Sequence, residues 1–173
     1  GDNASFSFHP LIYQEKVYSK YKNDIRVTNY NDDALITTLT GHNDAVRCIT
    51  IDDGKLYSGS GDNTIKIWDC NTDTLITTLE GHTGTVECLT INDGKLYSGS
   101  WDSTIKIWDC STHDLIETLT KHADSVWWLT IFDGKLYSGG ANNSIKVWNC
   151  GTNKLIKTLA EGHTDSVSCF TFH

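Results

Sequence analysis

The sequence predicts an all-β protein made of four repeats, each folding as a small antiparallel sheet. The first observation is a period of forty residues. The segment 53–82 returns at 93–122 with 22 of its 30 positions identical, and a third copy begins at Asp133 with one extra residue. The second observation is that each copy divides into four short apolar runs separated by turn residues. Four antiparallel strands in about forty residues indicate one blade of a β-propeller.

The copy that begins near residue 45 shows the strand pattern most clearly. It predicts strands over 46–51, 56–60, 64–68 and 75–79. Asp53-Gly54 follows the first strand and predicts a tight hairpin turn. Short turn-forming segments separate the remaining strands, so each strand pairs with the next one along the chain.

The first strand of this copy is irregular, because Val46 and Cys48 share one parity while Ile49 and Ile51 share the other. Successive side chains of a strand point to opposite faces. Either this inner strand is apolar on both faces because blades stack face to face, or a bulge switches the parity. Both interpretations suit the inner strand of a propeller blade.

Composition and charge narrow the possible partners. The net charge of −8 argues against nucleic acid, which needs a basic surface, and mildly favours a basic protein partner. No apolar run is long enough to span a membrane.

The six cysteines occupy repeat positions and lack the spacing of a zinc site. We therefore expect no metal and no cofactor, and reduced thiols in the cytosol or nucleus.

The Gly-His pair early in the repeat and the Trp-Asp pair late in it resemble WD40 repeats, and the resemblance covers residues 16–173. It implies a hydrogen-bonded network of His, Ser, Asp and Trp within each blade. By position, the networks comprise His42, Ser58, Asp62 and Trp68, then His82, Ser98, Asp102 and Trp108, then His122, Ser138, Asn142 and Trp148. Asn142 brings no charge, so we expect the fourth blade's network to be weaker.

A set of Ser, His and Asp side chains also raises the possibility of a hydrolase triad. A catalytic triad occurs once in a chain, whereas this set recurs every forty residues, and no Gly-x-Ser-x-Gly motif is present. The pattern therefore favours a structural role, and we expect a protein that is not an enzyme and has no catalytic residues.

The resemblance implies one domain over residues 1–173, and this domain contains four blades. Their bounds are about 4–40, 41–80, 81–120 and 121–161, followed by an extra inner strand over 166–173. The first blade is degenerate, since Thr28 stands at the repeated Trp position. WD-type rings usually hold seven or eight blades, so four would leave a blade face exposed. We hypothesise that two chains close an eight-bladed ring, with a fragment of a longer propeller as the alternative.

Function is expected where the repeats differ, because the shared positions are explained by the fold. In the WD40 family, three positions per blade commonly form a binding face. Here they are Ala45, Arg47 and Gly61, then Thr85, Glu87 and Trp101, then Ser125, Trp127 and Ala141, with Ser166 and Ser168 continuing the series. From these the predicted partner-binding set is Trp101, Trp127, Glu87, Arg47, Ser125 and Ser168.

Trp101 and Trp127 stand apart from the repeated Trp position and fall on adjacent blades. Two exposed indoles beside Glu87 could clamp an Arg or Lys side chain of a partner. The alternative for Trp127 is that it packs down into the ring. The predicted function is a scaffold that binds a peptide or protein on the propeller face. The alternatives are a targeting or substrate-recognition module of a larger enzyme, such as a kinase or ubiquitin ligase, and a purely structural assembly subunit.

Overall fold

The computed structural model describes residues 11–141 and 144–159, which form four antiparallel sheets of four strands each. Within every sheet the strands pair in chain order, as a simple meander. This architecture confirms the predicted all-β class with blade-like sheets. None of the described residues forms a helix that is long and apolar enough to cross a membrane.

The sixteen strands of the described part have similar lengths from blade to blade, except that the first strand of blade one has three described residues and the first strands of the other blades have seven. Blade one holds β1 (Leu11–Tyr13), β2 (Lys16–Tyr21), β3 (Asp24–Asn29) and β4 (Leu35–Leu39). Blade two holds β5 (Val46–Asp52), β6 (Lys55–Ser60), β7 (Ile65–Asp69) and β8 (Thr74–Leu79). Blade three holds β9 (Val86–Asn92), β10 (Lys95–Ser100), β11 (Ile105–Asp109) and β12 (Leu115–Leu119). Blade four holds β13 (Val126–Phe132), β14 (Lys135–Gly140), β15 (Ile145–Asn149) and β16 (Leu155–Leu159).

The hairpin between the first two strands of a blade confirms the predicted turn. Asp53 and Gly54 have φ values of 45° and 70°, the left-handed conformations that a two-residue hairpin requires. Blade one makes the same turn with Gln14 and Glu15, at φ 46° and 58°. Since Glu15 stands where the other blades have glycine, the first blade's hairpin carries a backbone strain at this position that the other blades avoid.

The structure shows that both explanations of the inner-strand parity hold. In β5 the register shifts between Val46 and Cys48, so Arg47 is a bulge residue. The bulge turns Val46 to the side of Ile49 and Ile51, which pack in the core facing blade one. Cys48 packs in the core on the other side, against blade three. The inner strand is therefore apolar on both faces and bulged at its start.

Each blade junction has its own apolar core, built from one face of a blade and the opposite face of the next. The junction of blades two and three is representative, because Tyr57, Ile65 and Ile67 of blade two pack against Leu96 and Trp108 of blade three. All five side chains are almost fully buried. The repeated Trp is thus placed to seal the junction with the preceding blade.

Two blade sides have no neighbouring blade in the described part of the chain. They are the side of blade one that faces away from blade two and the side of blade four that faces away from blade three, and we call them the outer sides. Tyr30 stands where blade two has Cys70, and the exposed fraction of its side chain is 58%, against 1% for Cys70. At the other end, Leu159 is 41% exposed, whereas its equivalent Leu119 is buried. The predicted beginning of blade one, the end of blade four and the extra strand over 166–173 lie outside the described residues.

Candidate functional site

The buried network is complete in blades two and three. In blade two, His42 lies 2.8 Å from Ser58 through Nε2 and 2.8 Å from Asp62 through Nδ1, and Trp68 Nε1 donates to Ser58 Oγ at 2.9 Å. Blade three repeats the arrangement with His82, Ser98, Asp102 and Trp108, at 2.8 Å for His to Ser, 2.6 Å for His to Asp and 2.9 Å for Trp to Ser.

The aspartate fixes the histidine tautomer. Burial alone would raise the pKa of Asp62, but hydrogen bonds from Thr64, the Asn43 amide and His42 outweigh it and lower that pKa to about 2. An ionised carboxylate only accepts hydrogen bonds, so His42 Nδ1 must carry the proton. Its Nε2 then accepts from the Ser58 hydroxyl, and every polar atom of the set is satisfied. This arrangement joins the loop before an inner strand to the two strands behind it.

Blade four holds a shorter version of the network. His122 Nε2 lies 2.7 Å from Ser138 Oγ, and Trp148 Nε1 donates to the same oxygen at 2.8 Å. His122 Nδ1 is buried and has no hydrogen-bond partner within the described part of the chain. Asn142, the predicted fourth member, lies outside the described residues. Burial, together with the charge of Lys146, lowers the pKa of His122 to about 4.

Burial explains why these serines cannot act as nucleophiles. Ser58 and Ser98 are completely inaccessible, and each accepts a bond from an indole N–H while it faces the histidine. A substrate carbonyl cannot reach either hydroxyl without unpacking the blade. Among residues 11–141 and 144–159, no group of three His, Cys, Asp or Glu side chains is arranged to hold a metal ion.

The five cysteines in the described part are free thiols at repeat positions. They are Cys48, Cys70, Cys88, Cys110 and Cys150, and Cys169 lies beyond the described residues. Burial is the main cause that raises the pKa of Cys48, to about 12, and it also raises the pKa of Cys88 well above its ordinary value. These thiols are therefore packing groups, protonated at neutral pH.

The three positions of the predicted binding face come together in blades two, three and four. Two of them are joined by a backbone hydrogen bond: Gly61 N–H to Ala45 O at 2.9 Å, Trp101 N–H to Thr85 O at 3.0 Å, and Ala141 N–H to Ser125 O at 3.2 Å. The third position is the bulge residue of the inner strand, which is Arg47, Glu87 or Trp127. Because the bulge residue is skipped in the strand pairing, the residue type at this position can differ from blade to blade.

A connected polar cluster spans two of these blades. Arg47 donates from Nε and Nη2 to the two carboxylate oxygens of Glu87, at 3.1 and 3.3 Å. Trp101 Nε1 donates to Glu87 Oε2 at 3.1 Å. The side chains of Arg47 and Glu87 are 42% and 23% exposed, and Trp101 is 52% exposed as a residue. The Glu87 carboxylate therefore accepts hydrogen bonds from a guanidinium and from an indole N–H at the surface.

Lys20 of blade one extends this cluster. Its ammonium donates to the backbone carbonyl of Arg47. Burial is the largest cause that lowers the pKa of Lys20, and the nearby charge of Glu87 acts in the opposite direction. Lys20 thus ties the first blade to the start of the second blade's inner strand.

A size exchange makes room for Trp101. In blade two, a Cβ atom added to Gly61 would lie 2.8 Å from the carboxylate of Asp44, so Asp44 would have to shift to admit a side chain there. In blade three, the Asp44 position is Gly84, and Trp101 occupies the Gly61 position. A Cβ atom on Gly84 would lie 2.8 Å from the Asp102 nitrogen and 3.4 Å from Trp101 Cβ. Glycine at position 84 therefore leaves room for the backbone and side chain of Trp101.

The other residues of the predicted partner-binding set are less closely connected to the cluster of Arg47, Glu87 and Trp101. Trp127 is half-buried, and the described structure joins it to Trp101 neither by a hydrogen bond nor by a ring contact. Ser125 Oγ donates weakly to the backbone carbonyl of Trp101 at 3.4 Å. Ser168 lies outside the described residues. The described face thus centres on Arg47, Glu87 and Trp101.

Sequence reasoning named the members of this cluster but missed its bonds. Arg47 and Glu87 stand forty residues apart with opposite charges at one repeat position, which was the available signal for a contact between neighbouring blades. Gly84 opposite Asp44 was a second signal, since only the copy with Trp101 has glycine there. Lys20 carried no comparable signal, because it lies in the degenerate copy.

Comparison with known proteins agrees with this geometry. The family described as "WD domain, G-beta repeat" matches residues 33–69, 73–109 and 113–149, which together make up more than half of the chain. Each match begins at or just before the outer strand of one blade and ends with the Trp-Asp or Trp-Asn pair of the next. No curated protein matches.

Among solved structures, the crystal structure of the computationally designed Ika8 protein superposes with a TM-score of 0.86 at 28% identity. The alignment covers 95% of this chain and 52% of the design, so the chain spans about half the length of that structure.

Proposed function

The chain belongs to the WD40 repeat family, and from that premise we propose that it is a non-enzymatic scaffold that binds a peptide or protein on one propeller face. WD40 repeats generally mediate protein–protein interaction, and the family is generally non-catalytic. The proposed face is the one formed by the bulge residues of the inner strands and the turns after the second strands. Its named residues are Arg47, Glu87, Trp101, Ser125 and Trp127, with Ser168 as a further predicted member.

The observation that carries this proposal is the exposed indole of Trp101, fixed by its own hydrogen bond to Glu87. An aromatic side chain that is both exposed and held in place loses little entropy on binding and offers a large contact area. The corresponding position is Gly61 in blade two and Ala141 in blade four, so the indole is no requirement of the repeat.

Removing the two indoles of this face tests the proposal. We expect Trp101→Ala combined with Trp127→Ala to abolish binding to peptides selected on the intact chain, a loss of at least about 2 kcal/mol for hot-spot aromatic residues. Isothermal calorimetry would measure the loss. Circular dichroism and light scattering should show an unchanged fold and mass.

Phe132→Ala is the matched control, because Phe132 is 50% exposed but lies at the opposite end of the strand that carries Trp127. This variant should bind as the intact chain does. Equal loss of binding in both variants would reject the proposed face, and a changed mass of the double variant alone would assign the indoles to a subunit interface.

The chemistry of the surface supports a protein partner that contributes a basic group. The net charge of −8 and the exposed Trp101 beside the Glu87 carboxylate favour a cation over a polyanion such as nucleic acid. The free thiols at repeat positions support a reducing compartment, so we propose the cytoplasm or the nucleus as the location. Nothing in the described residues favours a membrane partner.

The fold is also compatible with two alternative functions. A module of this kind could deliver substrates to a larger enzyme, such as a kinase or ubiquitin ligase, if further sequence carries the catalytic domain. It could instead serve only in assembly, with blade faces making the contacts. Binding that survives loss of both indoles but depends on the blade faces would favour the assembly subunit.

A specific observation favours self-association as a second property. Tyr30 and Ile12 on the outer side of blade one are 58% and 54% exposed, although the same positions in blades two and three are covered by a neighbouring blade. At the other end of the described part, Leu159 is exposed too. Since these two sides correspond to the two halves of every internal junction, we propose that a second copy covers them and closes an eight-bladed ring.

A further inference from the structure

The cluster on the proposed face contains its own cation. Arg47 belongs to blade two, yet its guanidinium lies on the carboxylate of Glu87 in blade three, through two bonds of 3.1 and 3.3 Å. The two residues occupy the same bulge position of neighbouring inner strands. The pair is therefore no part of strand pairing, and neither blade needs it for its hydrogen-bond ladder.

The pair is also accessible. The side chain of Arg47 is 42% exposed and that of Glu87 is 23% exposed. Ion pairs at this exposure contribute little to stability, because water screens them and two side chains must be held in place. A second guanidinium from outside can therefore replace the first at small cost.

From these contacts we infer that Arg47 is a built-in competitor for the Glu87 carboxylate, and that the partner group recognised there is the guanidinium of an arginine side chain. This inference rests on the proposed function, since it concerns the same face. An incoming arginine would take over the two carboxylate oxygens while Trp101 Nε1 keeps its bond to Oε2. The exposed indole beside the carboxylate then supplies additional contact for the planar cation.

The geometry selects guanidinium over ammonium. Arg47 Nε and Nη2 each bond a different oxygen of Glu87, a fork-to-fork arrangement that matches the two ends of a carboxylate. A lysine ammonium is a compact point charge and cannot reproduce two parallel bonds in one plane. The site should therefore prefer an arginine peptide to the corresponding lysine peptide.

Neutralising Arg47 gives a direct test with the whole chain. The probes are two capped tripeptides, acetyl-Gly-Arg-Gly-amide and acetyl-Gly-Lys-Gly-amide. The readout is the indole N–H resonance of Trp101 in a nitrogen-15 correlation spectrum, assigned through Trp101→Phe. We expect Arg47→Gln to strengthen binding of the arginine peptide about two- to fivefold, the ratio that corresponds to loss of one exposed ion pair. Glu87→Gln should remove the response.

Lys154→Gln is the matched control, because it removes one positive charge from an exposed position on blade four, outside the cluster. It should leave the peptide affinity at the value of the intact chain. An equal gain in this variant would assign the effect to net charge and overturn the inference.

The other outcomes separate the inference from the proposed function. Equal affinity of the arginine peptide for Arg47→Gln and for the intact chain overturns the competitor role but leaves the binding face in place. An equal gain for the lysine peptide overturns the guanidinium preference. No response to either peptide in Arg47→Gln overturns the inference entirely, while selected peptides that depend on Trp101 and Trp127 would still uphold the proposed function.

Discussion

The histidine before each inner strand differs in its surroundings from blade to blade. His42 and His82 each have an aspartate at Nδ1, whereas His122 Nδ1 has no partner among the described residues. The pKa of His122 is lowered to about 4, from about 6.5 in an unfolded chain. Between these two values the unfolded chain binds a proton at this histidine that the folded chain does not bind. The free energy of unfolding therefore decreases as the pH falls from about 6.5 towards 4.

We therefore expect Asn142→Asp to stabilise the protein, because it restores at this sequence position the carboxylate of Asp62 and Asp102. The free energy of unfolding at neutral pH should rise by about 1–2 kcal/mol, and its decrease between pH 6.5 and 4 should become shallower. Urea unfolding followed by circular dichroism at several pH values measures both effects. Asn143→Asp adds the same charge one residue later, and equal behaviour of the two variants would contradict the explanation.

Single residues also show how far the sequence could predict the site. The members of the buried networks follow from a fixed period, because an indole, a hydroxyl and an imidazole need partners wherever they are buried together. The bond from Arg47 to Glu87 does not follow from the period. It depends on a bulge that turns the two side chains out of the strand pairing, and on the distance between neighbouring blades. Whether this face binds a partner stays a prediction.

Among the strands and turns, the hairpin of blade one stands out. In blades two, three and four the second turn residue is glycine with φ between 65° and 70°, whereas blade one has Glu15 with φ 58°. A residue with a Cβ atom pays about 1 kcal/mol or more in this conformation. The glutamate carbonyl accepts the Tyr30 amide at 2.7 Å, a backbone bond that any residue at position 15 would keep.

Glu15→Gly should consequently stabilise the first blade by about 0.5–1 kcal/mol, the relief of strain less the larger entropy of glycine in the unfolded chain. Hydrogen exchange measured by mass spectrometry should show about two- to fivefold slower exchange across residues 16–29 if exchange follows local opening. Glu15→Ala removes the same charge without relieving the strain and serves as the control. A similar effect of the alanine variant would mean that charge, not conformation, limits the hairpin.

The strands themselves were predicted to within one residue at either end. In blade two the predicted strands 46–51, 56–60, 64–68 and 75–79 correspond to Val46–Asp52, Lys55–Ser60, Ile65–Asp69 and Thr74–Leu79. The period of apolar residues and the Asp-Gly pair were sufficient for this, because turn chemistry ends strands sharply. The parity of the inner strand left two options, since a sequence pattern alone does not show where a pairing register shifts. The structure contains both features, a bulge at Arg47 and an inner strand that is apolar on both faces.

At the scale of the whole molecule, every described junction joins one side of a blade to the opposite side of the next. That rule leaves one unmatched side at each end of the described part. On blade one the unmatched side carries Ile12 and Tyr30, and on blade four it carries Leu159, all exposed. The two sides are complementary by repeat symmetry, so one copy's fourth blade can pack on another copy's first. Two such contacts would close the two-fold ring of eight blades that we propose.

Light scattering of the purified chain should accordingly give a mass of two chains, and Ile12→Lys should shift it to one, since a charge in an apolar junction is costly. Ile116→Lys is the matched control. Ile116 is 44% exposed, comparable to Ile12 at 54%, but it lies on the outer strand β12 and faces no junction. This variant should keep the mass of two chains.

A mass of one chain for the unmodified protein would exclude ring closure by two copies and leave the first blade's exposed side to a longer chain or to another partner. Dissociation caused equally by both lysine variants would place the contact at the outer rim, where exposed Leu and Ile pairs recur in every blade. Only a selective effect of Ile12→Lys supports the ring, because the junction is the one contact that requires the unmatched side of blade one to be apolar.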